Sequence, residues 1–393
     1  MSEKLFFGKL NYIDIKLFNA YFCNMYLKSL SAYNFKNFEE INISLIPGIV
    51  CFTGLNGEGK TNLLDAIHYL SFCKSFLVSS DLLNIRFNES YFALQGTFVL
   101  NNNKEDVIYC AVKSGDKKVF KKNQKEYSRL ADHIGNYPLV IISPLDSNLI
   151  TEGSEERRRF LDSIISQYNR EYLEKLIQYN KVLTQRNALL KQFAENGNFN
   201  YSVLEIWDAQ LGPLGDYIYH ERKDFLEKFI PVFHRYFDII SDKKEEVSIH
   251  YLSQLNQELK MEDLLSSAIN KDRMAQHTTV GIHKDDLDFL IKDFALKKHA
   301  SQGQQKSFLI ALKLAQFEFL KIKKGEAPLL LLDDIFDKLD DNRIARLIEL
   351  VSKNDFGQVF ITDTQKERIK IILDKVNSKA LIFTISNGKL ELN

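Results

Sequence analysis

The chain has 393 residues, 45% hydrophobic and 26% charged, with no apolar run long enough to span a bilayer. This composition describes a soluble globular protein of roughly two or three domain-sized units and excludes a disordered, collagenous or membrane-spanning chain. Lys+Arg and Asp+Glu both number 52, giving a formal net charge of zero, so any phosphate-bearing partner must be held by a local patch and not by the whole surface.

Four cysteines, Cys23, Cys51, Cys73 and Cys110, show neither zinc-ligand spacing nor a disulfide framework. A reducing cytoplasm is the expected location. Residues 1–24 hold Asp14 and several asparagines where a secretory leader would be apolar, and they precede a second methionine, Met25. They are read as an N-terminal extension from an upstream start.

Three short β-branched or alternating runs, at about 27–31, 41–45 and 49–52, are separated by Asn/Glu and Pro-Gly punctuation and predict strands. A helix is expected over 61–73, directly after a glycine-rich turn. Strand-like segments at 92–100, 107–112 and 118–122, joined by Asn101-Asn-Asn and Ser114-Gly-Asp, predict antiparallel hairpins, and 138–143 reads as a buried strand. Beyond Ser154 the spacing becomes helical. Leu161, Ile165, Tyr168, Tyr172, Leu176, Tyr179 and Leu183 form one apolar stripe of more than six turns. A second stripe runs from Leu204 through Trp207, Leu211, Leu214, Ile218, Phe225 and Phe229 to Tyr236, with Gly212-Pro213 and Pro231 as kinks. From about Ser301 come a helix, the apolar run Leu329-Leu-Leu-Leu332, a further helix and strands at 358–362 and 380–385. An apolar run without alternation predicts a parallel sheet buried on both faces. The expected organisation is an extension (1–24), a first core half (25–153), a helical insertion (154–270) and a second core half (271–393).

Gly54-Leu55-Asn56-Gly57-Glu58-Gly59-Lys60-Thr61, followed by Asn62, satisfies the P-loop pattern with an apolar strand before it and an amphipathic helix after. Three glycines let successive backbone N–H groups face phosphate oxygens, and the helix start adds its positive dipole end. Lys60 is expected on the β/γ-phosphates and Thr61 on Mg²⁺. The bland alternative is a glycine-rich strand-to-helix turn. Asp333 and Asp334 end the tetraleucine strand, where two adjacent carboxylates repel unless a cation or water lies between them. Asp333 is assigned to Mg²⁺ and Asp334 to polarising the attacking water, against the simpler reading of a capping aspartate.

Ser301-Gln302-Gly303-Gln-Gln-Lys306, just before a helix, is either an ordinary helix cap or a counterpart of the signature motif of ATP-binding-cassette ATPases. In those proteins a Ser and a Gly meet the γ-phosphate held by the opposite subunit. Asp337-Lys-Leu-Asp340 resembles the loop after the acidic strand in the same class. With Leu30-Ser-Ala-Tyr-Asn-Phe-Lys-Asn-Phe38, Gly153-Ser-Glu-Glu-Arg157-Arg-Arg-Phe-Leu-Asp162, Gln185-Arg-Asn-Ala-Leu-Leu-Lys191 and Gly281-Ile-His-Lys-Asp-Asp-Leu287, the chain resembles the RecF family of bacterial recombinational repair ATPases from about Leu27 to Thr364.

The resemblance implies an α/β fold: an ABC-type P-loop ATPase head with an antiparallel β subdomain and an inserted helical arm. It implies ATP and Mg²⁺ as cofactors, an ATP-dependent homodimer on duplex or gapped DNA and at single-strand/double-strand junctions, RecO- and RecR-type partners, and no membrane. Two departures qualify it. Thr362-Asp363-Thr364 stands where many cassette ATPases carry a γ-phosphate-sensing histidine, making Thr362 the candidate substitute, and Asp334 is one methylene shorter than the usual Glu, which predicts slow hydrolysis. An energising transporter subunit, an SMC-type tether and a nuclease-coupled ATPase are the competing readings.

Residues 111–130 carry seven basic side chains against Asp116 and Glu126. Lys117, Lys118, Lys121 and Lys122 are therefore candidate DNA contacts, or a lysine-rich edge that blocks strand aggregation. Arg157 and Arg158 open a long helix, where the dipole disfavours cations; they hold either nucleic-acid phosphate or internal carboxylates. His283 reads as a hydrogen-bonded core residue.

Overall fold

The computed structural model describes residues 25–243, 245–257, 259–335, 341–352, 356–375 and 380–392. The extension 1–24 and the Asp337 to Asp340 loop lie outside them. The described residues form two compact units: Leu145–Phe319, and the residues on either side of it in sequence.

In the flanking unit, a six-stranded sheet has the order Lys389–Leu392, Ala380–Ser386, Ile49–Thr53, Val359–Asp363, Leu329–Leu332, Leu139–Ile142. All its pairings are parallel except that of the terminal hairpin. The Ile49–Thr53, Leu329–Leu332 and Val359–Asp363 strands are buried at every residue, as the unalternating apolar runs predict. A second six-stranded sheet, antiparallel throughout, joins Tyr26–Phe35 and Phe38–Ser44 to the hairpins of Tyr91–Val99, Glu105–Lys113, Val119–Lys122 and Lys125–Glu126. Here burial alternates, one face inward. The helix Lys60–Phe72 packs on strands of both sheets; Leu63, Leu64, Ile67 and Leu70 join a core with Phe35, Phe52, Phe92 and Phe360. That burial fixes the helix against both sheets, with residues 54–59 linking its start to Ile49–Thr53.

The Leu145–Phe319 unit is built on a helical hairpin, Arg170–Asn196 against Tyr201–Ser241. The first stripe is not one helix. Asn169 leaves helical geometry at φ −116° and its side chain accepts from the Tyr172 N–H at 3.0 Å, so an N-cap ends Ser154–Tyr168 and starts the next helix. The second stripe is a single 41-residue helix that carries Pro213 and Pro231 inside it, about 60 Å at the usual rise. A three-stranded antiparallel sheet, Phe294–Ala295, Asp286–Ile291 and Val247–Leu252, completes the unit.

Candidate functional site

The turn from Ile49–Thr53 into Lys60–Phe72 depends on backbone that only glycine adopts at low cost: Gly54, Gly57 and Gly59 have φ of +154°, +87° and +107°. Two of them also admit close neighbours. A Cβ at Gly54 would lie 2.5 Å from the Ile385 carbonyl oxygen, and one at Gly59 would lie 2.4 Å from Asn37 Nδ2. The Lys60 ammonium donates to the Gly54 and Leu55 carbonyls at 2.7 and 2.9 Å, so the loop curls around its own lysine. Burial lowers the Lys60 pKa, against the pull of Asp334 and Asp333. No side chain caps the helix that follows, which leaves its first N–H groups facing the loop as donors for an anion. Leu55 and Asn56 are exposed at the rim.

Three contacts brace this loop from outside. Asn37 donates to the Glu58 carbonyl at 2.9 Å and accepts from Asn62 Nδ2 at 2.7 Å, and the Glu58 carboxylate accepts from the Asn387 N–H. Sequence reasoning missed Asn37 and Asn387. Asn37 lies within the quoted run 30–38, but nothing local says that it meets a loop twenty residues on.

Asp333 follows Leu329–Leu332 and is 4% exposed. Thr61 Oγ1 lies 3.0 Å from each Asp333 carboxylate oxygen, Thr362 Oγ1 donates to Oδ1 at 2.8 Å, and the Asp333 N–H donates to the Ile142 carbonyl at 2.8 Å. Burial raises the Asp333 pKa; the Thr362 and Thr61 hydroxyls oppose it. A hydroxyl and a carboxylate oxygen converging beside this glycine-rich loop form the hard-oxygen donor set that suits Mg²⁺. Asp334 sits at φ +47° with its N–H donating to Thr362 Oγ1 at 2.9 Å. Asp363 is buried and paired with Arg368 at 2.6 Å.

Within the Leu145–Phe319 unit, Ser301 and Gln304 cap each other. Ser301 N–H donates to Gln304 Oε1 at 2.7 Å and Gln304 N–H to Ser301 Oγ at 3.3 Å, a capping box that starts Gln302–Lys324. Ser301 and Gln302 are exposed, and the Gly303 carbonyl accepts from Ser307 Oγ at 2.9 Å.

The basic residues divide. Lys118 is tied to Asp81 at 2.6 Å and the Cys73 carbonyl at 2.7 Å, and Lys122 to Asp106 at 2.7 Å. Lys117 is exposed and Lys121 lines a surface groove with Gln95, Tyr109 and Asn123; neither makes an ion pair among the described residues. Arg157 grips Asp286 in a two-pronged bond of 2.6 and 3.0 Å, Arg158 donates to the Asp285 carbonyl at 2.7 Å, and Arg159 pairs with Glu155 and Glu156.

The remaining motifs meet in a charged core. Arg222 reaches Asp162 at 2.9 Å and Asp285 at 3.0 Å; Arg186 reaches Asp208 at 2.5 Å and Asp272 at 2.6 Å. Both arginines are almost fully buried. His283 accepts from the Tyr179 hydroxyl on Nδ1 at 2.8 Å and donates from Nε2 to the Thr278 carbonyl at 3.1 Å, the core role expected of it.

The family model of the RecF/RecN/SMC N terminal domain matches residues 26–381. The DNA replication and repair protein RecF of Flavobacterium johnsoniae is 49% identical over 361 residues, 92% of this chain and 100% of that one. RecF of Bacteroides thetaiotaomicron is 46% identical over 364 residues, 93% and 98% of the two chains. A solved structure of the recombination mediator protein RecF with ATP, of the RecFOR pathway, superposes with a TM-score of 0.86 at 32% identity, covering 95% of this chain and 98% of that one. The Smc head domain of Pyrococcus furiosus, at TM-score 0.55 and 18% identity over 94% and 96% of the chains, shares the fold. The chain therefore belongs to the RecF family of DNA replication and repair proteins.

Proposed function

We propose that this protein is an ATP-gated DNA-binding protein of recombinational repair and replication, closing as a homodimer on duplex or gapped DNA and reopening on slow hydrolysis. Lys60 and the backbone of 54–59, with Asn62 beside them, hold the triphosphate, Thr61 and Asp333 hold Mg²⁺, and Asp334 orients the attacking water. The bound nucleotide supplies the scissile anhydride and Mg²⁺ neutralises its charge. Ser301, Gln302 and Gly303 of a second copy complete the site, which makes binding of nucleotide and of a partner one event. The observation that carries the reading is the Thr61 to Asp333 contact beside a P-loop curled on Lys60.

DNA contact falls first to Lys117 and Lys121. Lys118, Lys122, Arg157 and Arg158 contribute only by exchanging the internal partners they hold. RecO- and RecR-type proteins are the expected partners in loading recombinase at gaps, in the cytoplasm. The relatives support this reading over the transporter and nuclease-coupled alternatives.

Fluorescence anisotropy on gapped duplex with and without ATP, alongside sedimentation, tests it. Lys60→Ala and Ser301→Arg are expected to abolish the ATP effect, and Lys117→Glu with Lys121→Glu to weaken DNA binding and flatten its salt dependence. A wild-type protein whose dimerisation and DNA affinity both ignore ATP ends the proposal.

A further inference from the structure

We infer that Thr362 is a positioning residue for hydrolysis, one hydroxyl that sets both carboxylates of the Asp333-Asp334 pair, and not a sensor of the γ-phosphate. The inference rests on the ATPase reading above. The sheet register pairs Leu332 with Ile361, so the next step along both strands brings Thr362 level with Asp333. Thr362 is fully buried, on a strand whose β-branched side chain has little rotamer freedom.

A threonine hydroxyl has one proton to donate and lone pairs to accept. The proton is committed to Asp333 Oδ1 at 2.8 Å, and the oxygen receives the Asp334 N–H at 2.9 Å. To donate to a phosphate it would have to release Asp333. Sensing is therefore the less economical use of this group, although a threonine there replaces the usual histidine.

The second bond has a consequence for Asp334. At φ +47° its backbone lies in the left-handed region, which residues with a Cβ enter rarely and Asn and Asp most readily among them. The bond from its N–H to Thr362 helps to hold that conformation. That backbone turn sets the direction in which the Asp334 Cβ leaves the chain. Thr362 thus couples the proposed Mg²⁺ ligand to the proposed water-orienting carboxylate through a single atom.

The test compares steady-state hydrolysis and equilibrium ATP binding for wild type, Thr362→Val, Thr362→Ser and Thr362→Ala, the last two differing only in the hydroxyl. Removing a partner that orients a ligand costs about 10- to 100-fold in activity. The expected result is a loss of that size in kcat for Val and Ala, ATP affinity close to wild type in all four, and kcat restored by Ser. The Ser/Ala pair decides the matter if the valine protein does not fold. Equal kcat for Ser and Ala overturns the inference, as does a loss of ATP affinity as large as the loss of kcat, which would assign Thr362 to nucleotide binding. A wild-type protein that binds ATP without hydrolysing it overturns the underlying reading and is seen in the wild-type arm alone.

Discussion

Thr61 and Asp333 are 272 residues apart in the sequence, yet the Thr61 hydroxyl stands 3.0 Å from both oxygens of the Asp333 carboxylate. The hydroxyl starts one buried helix and the carboxylate ends one buried strand, so neither can drift. Asp333→Asn keeps the shape and removes the charge. Mg²⁺-dependent hydrolysis should fall by about two orders of magnitude, given that a metal supplies several kcal/mol of transition-state stabilisation. A phosphate-release assay reading within a few-fold of wild type would remove Asp333 from the proposed Mg²⁺ ligands.

Gly59→Ala should weaken ATP binding at the proposed site. The new Cβ would stand 2.4 Å from Asn37 Nδ2 and 2.8 Å from Phe38 Cζ, on backbone at φ +107°. Left-handed backbone alone costs a non-glycine residue about 1–2 kcal/mol, and the clash adds to it. ATP titration should show affinity at least about 10-fold weaker. Gly197→Ala, at φ +64° with nothing within 4 Å of the new carbon, is the matched control and should leave ATP binding unchanged.

Arg222→Met removes the cation between Asp162 and Asp285 and leaves the buried Asp285 carboxylate and the partly buried Asp162 carboxylate without it. Breaking a buried pair this way costs about 3–5 kcal/mol. Trp207, the chain's single tryptophan, lies in the same unit, so its fluorescence in urea should report a large drop in midpoint. Arg159→Ala, from a pair whose side chains are about two-thirds exposed (65% and 67%), should change the unfolding free energy by no more than about 0.5 kcal/mol and barely move the midpoint. Equal shifts for the two variants would contradict the charged-core account.

Two histidines should make the fold acid-labile. His133 and His283 each donate from Nε2 to a carbonyl, Leu70 and Thr278, and accept a tyrosine hydroxyl on Nδ1. Burial lowers both from 6.5 to about 4. Between those values the unfolded chain binds a proton that the folded chain refuses. Stability is therefore full above pH 6.5 and is lost as pH falls toward 4, on the order of 2–3 kcal/mol per histidine. Melting curves across that window should slope steeply for wild type and less for the His133→Gln, His283→Gln protein; identical slopes would refute it.

Much of the candidate nucleotide site is legible because its parts are local. Gly54 to Thr61 is a contiguous motif between an apolar strand and a periodic helix, and Asp333 ends a run of four leucines that only a buried strand accommodates. The helical stripe was legible in its facing side chains and not in its continuity, because Asn169 caps a helix through a bond that periodicity does not register. The lysine run was legible as charge, but which lysines stay available depends on Asp81 and Asp106, whose side chains arrive from other elements.

The strand, loop and helix proposed to cradle phosphate, the acidic strand end and the family are all readable in the chain, since each is written in spacing that the backbone must obey. Tertiary structure decided the rest: Asn37 against Gly59, Thr362 under Asp333 and Asp334, and Arg186 and Arg222 each between two aspartates. The physical reason is that these contacts follow from sheet register and from the need to satisfy every buried charge. Both are properties of the packed chain and of no single segment of it.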